Sequence, residues 1–251
     1  MCGLLFNSGL NYSEKEFKSA LSLMDHRGPD AEGYIRTGKF QLGHNRLKIL
    51  DLDDRSNQPF ISKNGRYIII FNGEIYNYQR LAKEHSIEQK TSSDTEVLVE
   101  LYAKYRHKFL PWLNGMFSLV ILDKNKNEFF VARDRLGIKP LYVFKRNEHL
   151  IISSEIASIL HLVGQPKFDK IGLRQYMKLR TFFNGRTPYE DINVFPAGHY
   201  MLDGKIRQYW KLPEHDQKPP SDEEIRCLVT KAVDDRLLSD VSIGSYLSGG
   251  L

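Results

Sequence analysis

The chain of 251 residues carries 41% hydrophobic and 27% charged side chains, enough apolar material for one large domain or two modest ones. Its net charge of +5 comes from scattered basic residues; the densest run, "KYRHK" at 104–108, closes a helical pattern and reads as a solvated face, with no aromatic–basic interleaving of the kind that grips nucleic acid. No signal peptide opens the chain and no stretch approaches the roughly 18 apolar residues of a membrane span, so a cytoplasmic protein with neither nucleic-acid nor membrane partners is expected.

In chain order, the sequence opens "MCGLLFNSGL", with a cysteine directly behind the initiator methionine. Ser13 followed by Glu16 marks a capping box, and Phe17, Ala20, Leu21 and Met24 then form one apolar stripe, which predicts a first helix. "RYIIIFNGE" is a β-rich run. Ser93 and Glu96 repeat the capping device ahead of Val97, Leu98, Leu101, Tyr102 and Tyr105. "FSLVILD", "EFFVARD", "PLYVF" and "HLIISSE" follow as short strands divided by polar turns, and "HYMLDGKIRQYW", with its Asp203-Gly204 turn, reads as a hairpin. Hairpin-linked strands with segregated helices predict an α+β fold built on antiparallel sheets. A proline- and charge-rich break falls at "KLPEHDQKPPSDEE". Beyond it come a third capped helix, Ser221 and Glu224 ahead of Ile225, Leu228, Val229, Ala232 and Val233, and then "SIGSYLSGGL", which resembles the opening of a phosphate-cradling loop.

The chemistry gathers around Cys2. A thiol has a reference pKa near 8.5 and an α-amine about 7.7–8.0, so a free amine on the same residue could take the thiol's proton without any histidine. That requires removal of Met1, because the nitrogen of Cys2 is otherwise an amide. A carbonyl under attack also needs donors for its oxyanion, and "FNGEIYN" at 71–77 offers the Asn72 side-chain amide and the Gly73 backbone N–H; the same letters also read as a plain Asn-Gly turn. "DHRGPD" is a turn with His26 as a hydrogen-bonded loop residue, and "RDRLGIKPLY", with Gly137 and Pro140, reads as scaffold. Cys2 and Cys227 make no disulfide framework, the latter lies in a helical pattern, and no His/Cys cluster has metal-ligand spacing, so no metal is expected here.

Taken together, "MCG", "DHRGPD", "GHNRLKILD", "FNGEIYNY" and "SSDTEVL" resemble class II glutamine amidotransferases. "RDRLGIKPLY", "SSEIASIL", "FPAGHY" and "LLSDVSIGSYLSGGL" are similar to the asparagine synthetase branch of that family. The resemblance implies an N-terminal-nucleophile hydrolase fold, an αββα sandwich of two antiparallel sheets between helical layers. It implies that Cys2 attacks the side-chain amide of L-glutamine, forms a γ-glutamyl thioester and releases ammonia, with Asn72 and Gly73 as the oxyanion hole. It assigns Arg46 to the substrate carboxylate, Glu74 and Asp94 to its ammonium, and the backbone at Ile49 and Leu50 to its flank. A glutaminase domain is expected at 2–212, a linker at 213–220, and the beginning of an ATP-pyrophosphatase domain at 221–251, where Leu247, Ser248, Gly249 and Gly250 would open the nucleotide loop. The glutaminase half needs no cofactor by this reading, whereas a full-length synthetase would use ATP and Mg to amidate aspartate, and a homodimer is possible. Amidation of another carboxylate, such as a sugar acid or antibiotic precursor, and a silent binding module are the alternatives. The chain departs from the family at Asn45-Arg46-Leu47-Lys48, where Glu-Arg-Leu-Ser is common, and in the loop "LLFNSGL".

Overall fold

Strands that are apolar at every position must be covered on both faces, and "LLF" and "IIIF" demand this of the fold. The computed structural model describes residues 1–164, 166–202, 204–214, 219–247 and 249. It meets the demand with two antiparallel sheets stacked face to face and helices on their outer sides. The first sheet comprises β1 (Gly3–Ser8), β2 (Ala31–Thr37), β3 (Phe40–Arg46), β8 (Tyr142–Arg146), β9 (His149–Ser153) and β10 (Ile192–Val194), in the order β10-β8-β9-β1-β3-β2. The second comprises β4 (Phe60–Ile61), β5 (Tyr67–Ile75), β6 (Gly115–Asp123), β7 (Glu128–Arg133), β11 (His199–Leu202) and β12 (Lys205–Gln208), in the order β12-β11-β7-β6-β5-β4.

The strand period of two sorts the side chains into layers. Leu4 and Phe6 of β1 meet Ile68 and Ile70 of β5 between the sheets. Leu5 turns the other way, onto Phe17, Ala20 and Leu21 of α1 (Glu14–Ser22) and Ile159 of α4 (Ile156–Val163). Ile69 and Phe71 face α2 (Tyr78–Glu84) and α3 (Asp94–Tyr105) through Leu81, Leu98, Leu101 and Tyr102. Each such side chain, fully buried, contributes about 1.5–3 kcal/mol, and the resulting helix–sheet–sheet–helix stack is the expected αββα sandwich.

Two of the three expected capping boxes form: Ser13 with Glu16, and Ser221 with Glu224 at the start of α6 (Asp222–Asp234). The one expected at Ser93 and Glu96 does not. Ser93 caps α3 through Thr95 N–H, but the buried Glu96 carboxylate turns to the preceding loop, accepting from the N–H groups of Lys90 and Thr91 and from the Thr91 hydroxyl. The Ser93 N–H that would complete the box goes instead to the Thr91 hydroxyl. The "KYRHK" run is also less solvated than expected: Arg106 pairs with the buried Asp123 at 3.2 Å and lies over the Tyr102 ring. The β11–β12 hairpin pairs Leu202 with Lys205, and Gly204 sits at φ +68°, while Asp203 falls outside the described residues. Helix α5 (Lys170–Leu179) follows α4 at the periphery, and α6 has no buried residue.

Candidate active site

The sandwich brings the ends of β1, β3 and β5 to one rim. Because β1 pairs with β3 in the register Gly3↔Asn45, Cys2 at the head of β1 comes beside Arg46 at the tail of β3. The N-terminus of α3 delivers Asp94 from the side of β5, where the Asp94 carboxylate accepts from Ile75 N–H at 3.0 Å. One cavity is lined by Cys2, Arg46, Ile49, Leu50, Asn72, Gly73, Glu74 and Asp94, every residue expected for the glutaminase site, together with Met1, Leu47, Gln58, Phe71, Ser93, Thr95, Met116 and Lys139. Of the expected nucleotide residues, Leu247 and Gly249 are exposed and do not line it, and Ser248 and Gly250 lie outside the described residues.

The Cys2 thiol rests against the Leu47 backbone, receiving its N–H at 3.4 Å. Burial pushes the thiol up from its ordinary range, while the Leu47 N–H, the N-terminal amine and Arg46 pull it back. Burial also lowers the amine of Met1. Arg27, from the "DHRGPD" turn, donates to the Cys2 carbonyl at 3.0 Å and to Glu155 at 3.2 Å, and His26 meets the same carboxylate at 3.0 Å. Thus the turn clamps the backbone of Cys2.

Two buried polar atoms in the cavity have no partner among the described residues: Asn72 Nδ2 and Glu74 Oε1. An orphaned buried group costs about 1–3 kcal/mol, so such a pair, one donor and one acceptor, marks where a ligand belongs. The Gly73 N–H completes the donor set. Phe117, its partner across the ladder, directs its own N–H and carbonyl to Asp134 on the opposite side, so Gly73 sits at a non-hydrogen-bonded position and its N–H points away from β6. The neighbouring outward N–H groups are taken, that of Phe71 by Gln58 Oε1 at 2.6 Å and that of Ile75 by Asp94, leaving the one between them to the cavity. A Cβ on Gly73 would lie 2.3 Å from the Met116 carbonyl, so the position also demands glycine for packing.

His44 fixes the same strand from the other sheet. Its Nε2 lies 2.9 Å from the Phe71 carbonyl, which can only accept, so the ring nitrogen donates; burial lowers the imidazole to about 4 and keeps it neutral. Asp94 moves the opposite way: burial, opposed by the Ile75 N–H, raises its carboxyl to about 7. Glu74 is also raised by burial, with Lys139 opposing.

Arg46 lies in the cavity wall, but its terminal nitrogens are engaged: Nη1 donates to the Asp53 carbonyl at 2.9 Å and the Asn57 side chain at 2.8 Å, and Nη2 to the Leu50 carbonyl at 3.0 Å and to that of Asp51. The arginine therefore braces the loop at 50–57, and Nε is the donor that remains. The same loop is stitched to the chain's C-terminal stretch, since Asp240 N–H donates to the Ile49 carbonyl at 2.9 Å and its carboxylate accepts from Asp51 N–H at 2.7 Å. The two unusual residues beside Arg46 are engaged elsewhere: the buried Asn45 donates to Asp25 at 2.5 Å, and Lys48 pairs with Asp54 at 2.7 Å. Neither lines the cavity.

Gln58, His44, Arg27 and Lys139 were not among the expected site residues. His44 and Arg27 lie in stretches that carry the resemblance, but nothing local assigns them or Gln58 a role, because those roles depend on contacts 13 positions away for Gln58, 27 for His44 and 25 for Arg27. Lys139 carried a faint signal, a lone cation between Ile138 and Pro140 in a loop read as buried.

A thiol at the second residue, an amide donor and a glycine N–H at a strand end, and acidic groups beside them share one cavity at the rim of an αββα sandwich, the arrangement expected of an N-terminal-nucleophile amidotransferase. The chain belongs to the glutamine amidotransferase domain family, whose model matches residues 1–210. Among curated relatives, it is 35% identical to asparagine synthetase [glutamine-hydrolyzing] 1 of Bacillus subtilis over 95% of this chain and 39% of that protein. It is 33% identical to asparagine synthetase B [glutamine-hydrolyzing] of Escherichia coli, over 91% and 38% respectively, and 34% identical to amidase chry2 of Gibberella zeae, over 94% and 37%. The chain thus spans well under half the length of these relatives. Its fold matches the glutamine phosphoribosylpyrophosphate amidotransferase of B. subtilis with a TM-score of 0.62 at 20% identity, over 83% of this chain and 49% of that one. No helix among the described residues is long and apolar enough to cross a membrane, and no group of three His, Cys, Asp or Glu among them could hold a metal ion.

Proposed function

We propose that this chain hydrolyses L-glutamine at Cys2 and supplies the ammonia for an ATP-dependent amidation, that of aspartate to asparagine. The observation that carries the glutaminase reading is the pairing of the orphaned Asn72 Nδ2 and Glu74 Oε1 in the cavity that holds the thiol. With Met1 removed, the free α-amine of Cys2 takes the thiol proton and the thiolate attacks the side-chain carbonyl carbon of glutamine. Asn72 Nδ2 and Gly73 N–H receive the oxyanion. Collapse expels ammonia, which takes up the amine's proton, and leaves a γ-glutamyl thioester; water then releases glutamate and restores the thiol. Glu74 and Asp94 receive the α-ammonium, whose charge favours the ionised form of both. Arg46 Nε and the loop at 49–50 that Arg46 braces receive the carboxylate side. A silent binding module would have no use for unpartnered catalytic donors at a buried site.

Aspartate as acceptor is supported by the likeness to the B. subtilis and E. coli asparagine synthetases. The likeness to amidase chry2 favours a second reading, in which a paralogue amidates another carboxylate. ATP and Mg belong, by this reading, to a full-length synthetase: among the described residues Leu247 and Gly249 stand exposed and do not line the cavity, and no step of that half-reaction is assigned to them. The domain boundaries near 212 and 221, a homodimer and a cytoplasmic location, which suits the free thiols of Cys2 and Cys227, complete the proposal. Ammonia and glutamate release from glutamine, followed by assay of the full-length protein with ATP and aspartate, tests it. Absence of glutaminase activity in chain that begins at Cys2 would remove the reading.

A further inference from the structure

The "RDRLGIKPLY" loop holds its shape through residues with no place in the reaction above, and it uses that shape to present one cation to the cavity. Arg133 donates to the carbonyls of Lys139 at 2.8 Å, Gly137 at 2.7 Å and Phe195 at 2.6 Å. Asp134 accepts from the N–H of Ile138 at 2.9 Å and of Lys139 at 3.0 Å. The backbone of Lys139 is thereby held on both its N–H and its carbonyl. Its side chain is 6% exposed and lines the cavity with Cys2 and Glu74, and its ammonium makes no ion pair or hydrogen bond among the described residues. Burial of the side chain lowers Lys139, opposed by Cys2 and Glu74. The braced loop thus presents a cation, unpaired among the described residues, to the cavity that holds the thiol.

We propose that the Lys139 ammonium stabilises the Cys2 thiolate and favours the unprotonated N-terminal amine, and so sets the pH at which the nucleophile becomes reactive. The inference rests on Cys2 being the nucleophile, and Lys139 acts through it, as a positioning residue. Other charges also face this pair. Arg46 from β3 works in the same direction and Asp94 from α3 against it at the thiol; Arg27 and Asp30, from the turn before β2, do the same at the amine. Lys139 in turn faces Glu74 on β5 and Asp134 in its own loop. Replacing it leaves those groups in place, so the change reads the lysine alone.

The test measures the pH dependence of Cys2 alkylation by iodoacetamide in chain that begins at Cys2, using peptide mass spectrometry. Cys227 on exposed α6 serves as the reference thiol in the same tube. Lys139→Met should shift the Cys2 midpoint upward by about one pH unit, a roughly tenfold slower alkylation at neutral pH, given the 1–3 units an opposite charge commonly commands at close range. The Cys227 midpoint should stay fixed, and Lys139→Arg should restore the Cys2 profile. Alkylation needs no glutamine, so its outcome is separate from any failure of the glutaminase reading. An unchanged Cys2 midpoint in folded Lys139→Met overturns the proposal. So does a raised KM for glutamine with the alkylation profile intact, which would make Lys139 a substrate anchor instead.

Discussion

The sharpest consequence of the cavity concerns Asn72. Its Nδ2 is buried without a partner among the described residues, so Asn72→Ala removes a donor and leaves no acceptor stranded. Folding loses no hydrogen bond through that atom and is relieved of a desolvated group worth about 1–3 kcal/mol, against which stands the small void left by the amide. Thermal stability should therefore hold or rise slightly. In the transition state the same donor faces a full oxyanion in a dry site, where losing one such contact costs about 10²–10³ in turnover, or about 2.7–4 kcal/mol. The Gly73 N–H remains and sustains residual activity. The prediction is thus a split: kcat for ammonia release falls by that factor, KM stays near its original value, and the melting temperature does not fall. Steady-state kinetics beside a thermal melt measures all three. A raised KM with kcat preserved would place Asn72 on the ground state and refute the oxyanion assignment.

Arg46→Lys should weaken glutamine binding and also cost about 2–4 kcal/mol of stability, because a lysine cannot brace the carbonyls of Leu50, Asp51 and Asp53 together; denaturant melts and KM read the two effects. Asp94, raised to about 7 by burial, binds an ammonium only when ionised, so KM for glutamine should fall as pH rises through 7, and Asp94→Asn should abolish that dependence. In the free chain the sign is opposite for stability. A folded carboxyl raised above its unfolded value contributes most below about pH 4, and that contribution is lost as pH climbs toward 7, which pH-dependent melts of wild type and Asp94→Asn would show. Chain retaining Met1 should be inert as a glutaminase, and a diazoketone analogue of glutamine should label Cys2 and spare Cys227 in processed chain; intact mass and peptide mapping decide both.

What the sequence disclosed follows physical locality. The doubly buried strands announced themselves because burial on both faces makes every letter apolar, as in "IIIF". Asn72, Gly73 and Glu74 were legible because one strand end carries them consecutively. Glu96 misled because the capping rule counts positions and not the path of the chain: the course of the loop sets the Thr91 and Lys90 N–H groups, five and six positions back, on its carboxylate. The roles of His44 and Gln58 were invisible for the same reason, since the two grip one peptide, that of Phe71, from another sheet and another loop. Lys139 shows the limit from the other side, since a motif judged structural is structural at Arg133 and Asp134 and, five positions on, sends a lysine to line the cavity.

Asp240 gives the pocket a second allegiance. Its two bonds to Ile49 and Asp51 join the stretch beyond α6 to the very backbone assigned to the flank of glutamine. If displacing that stretch changes glutamine affinity, thermodynamic reciprocity requires bound glutamine to hold the stretch in place by the same factor. Hydrogen exchange at the residue-240 amide should be slowed by glutamine in wild type, and slowed less in Asp240→Ala, which loses the bond from Asp51 N–H and keeps the one to the Ile49 carbonyl. The glutaminase pocket would then report on the stretch beyond α6 without a messenger passing between them.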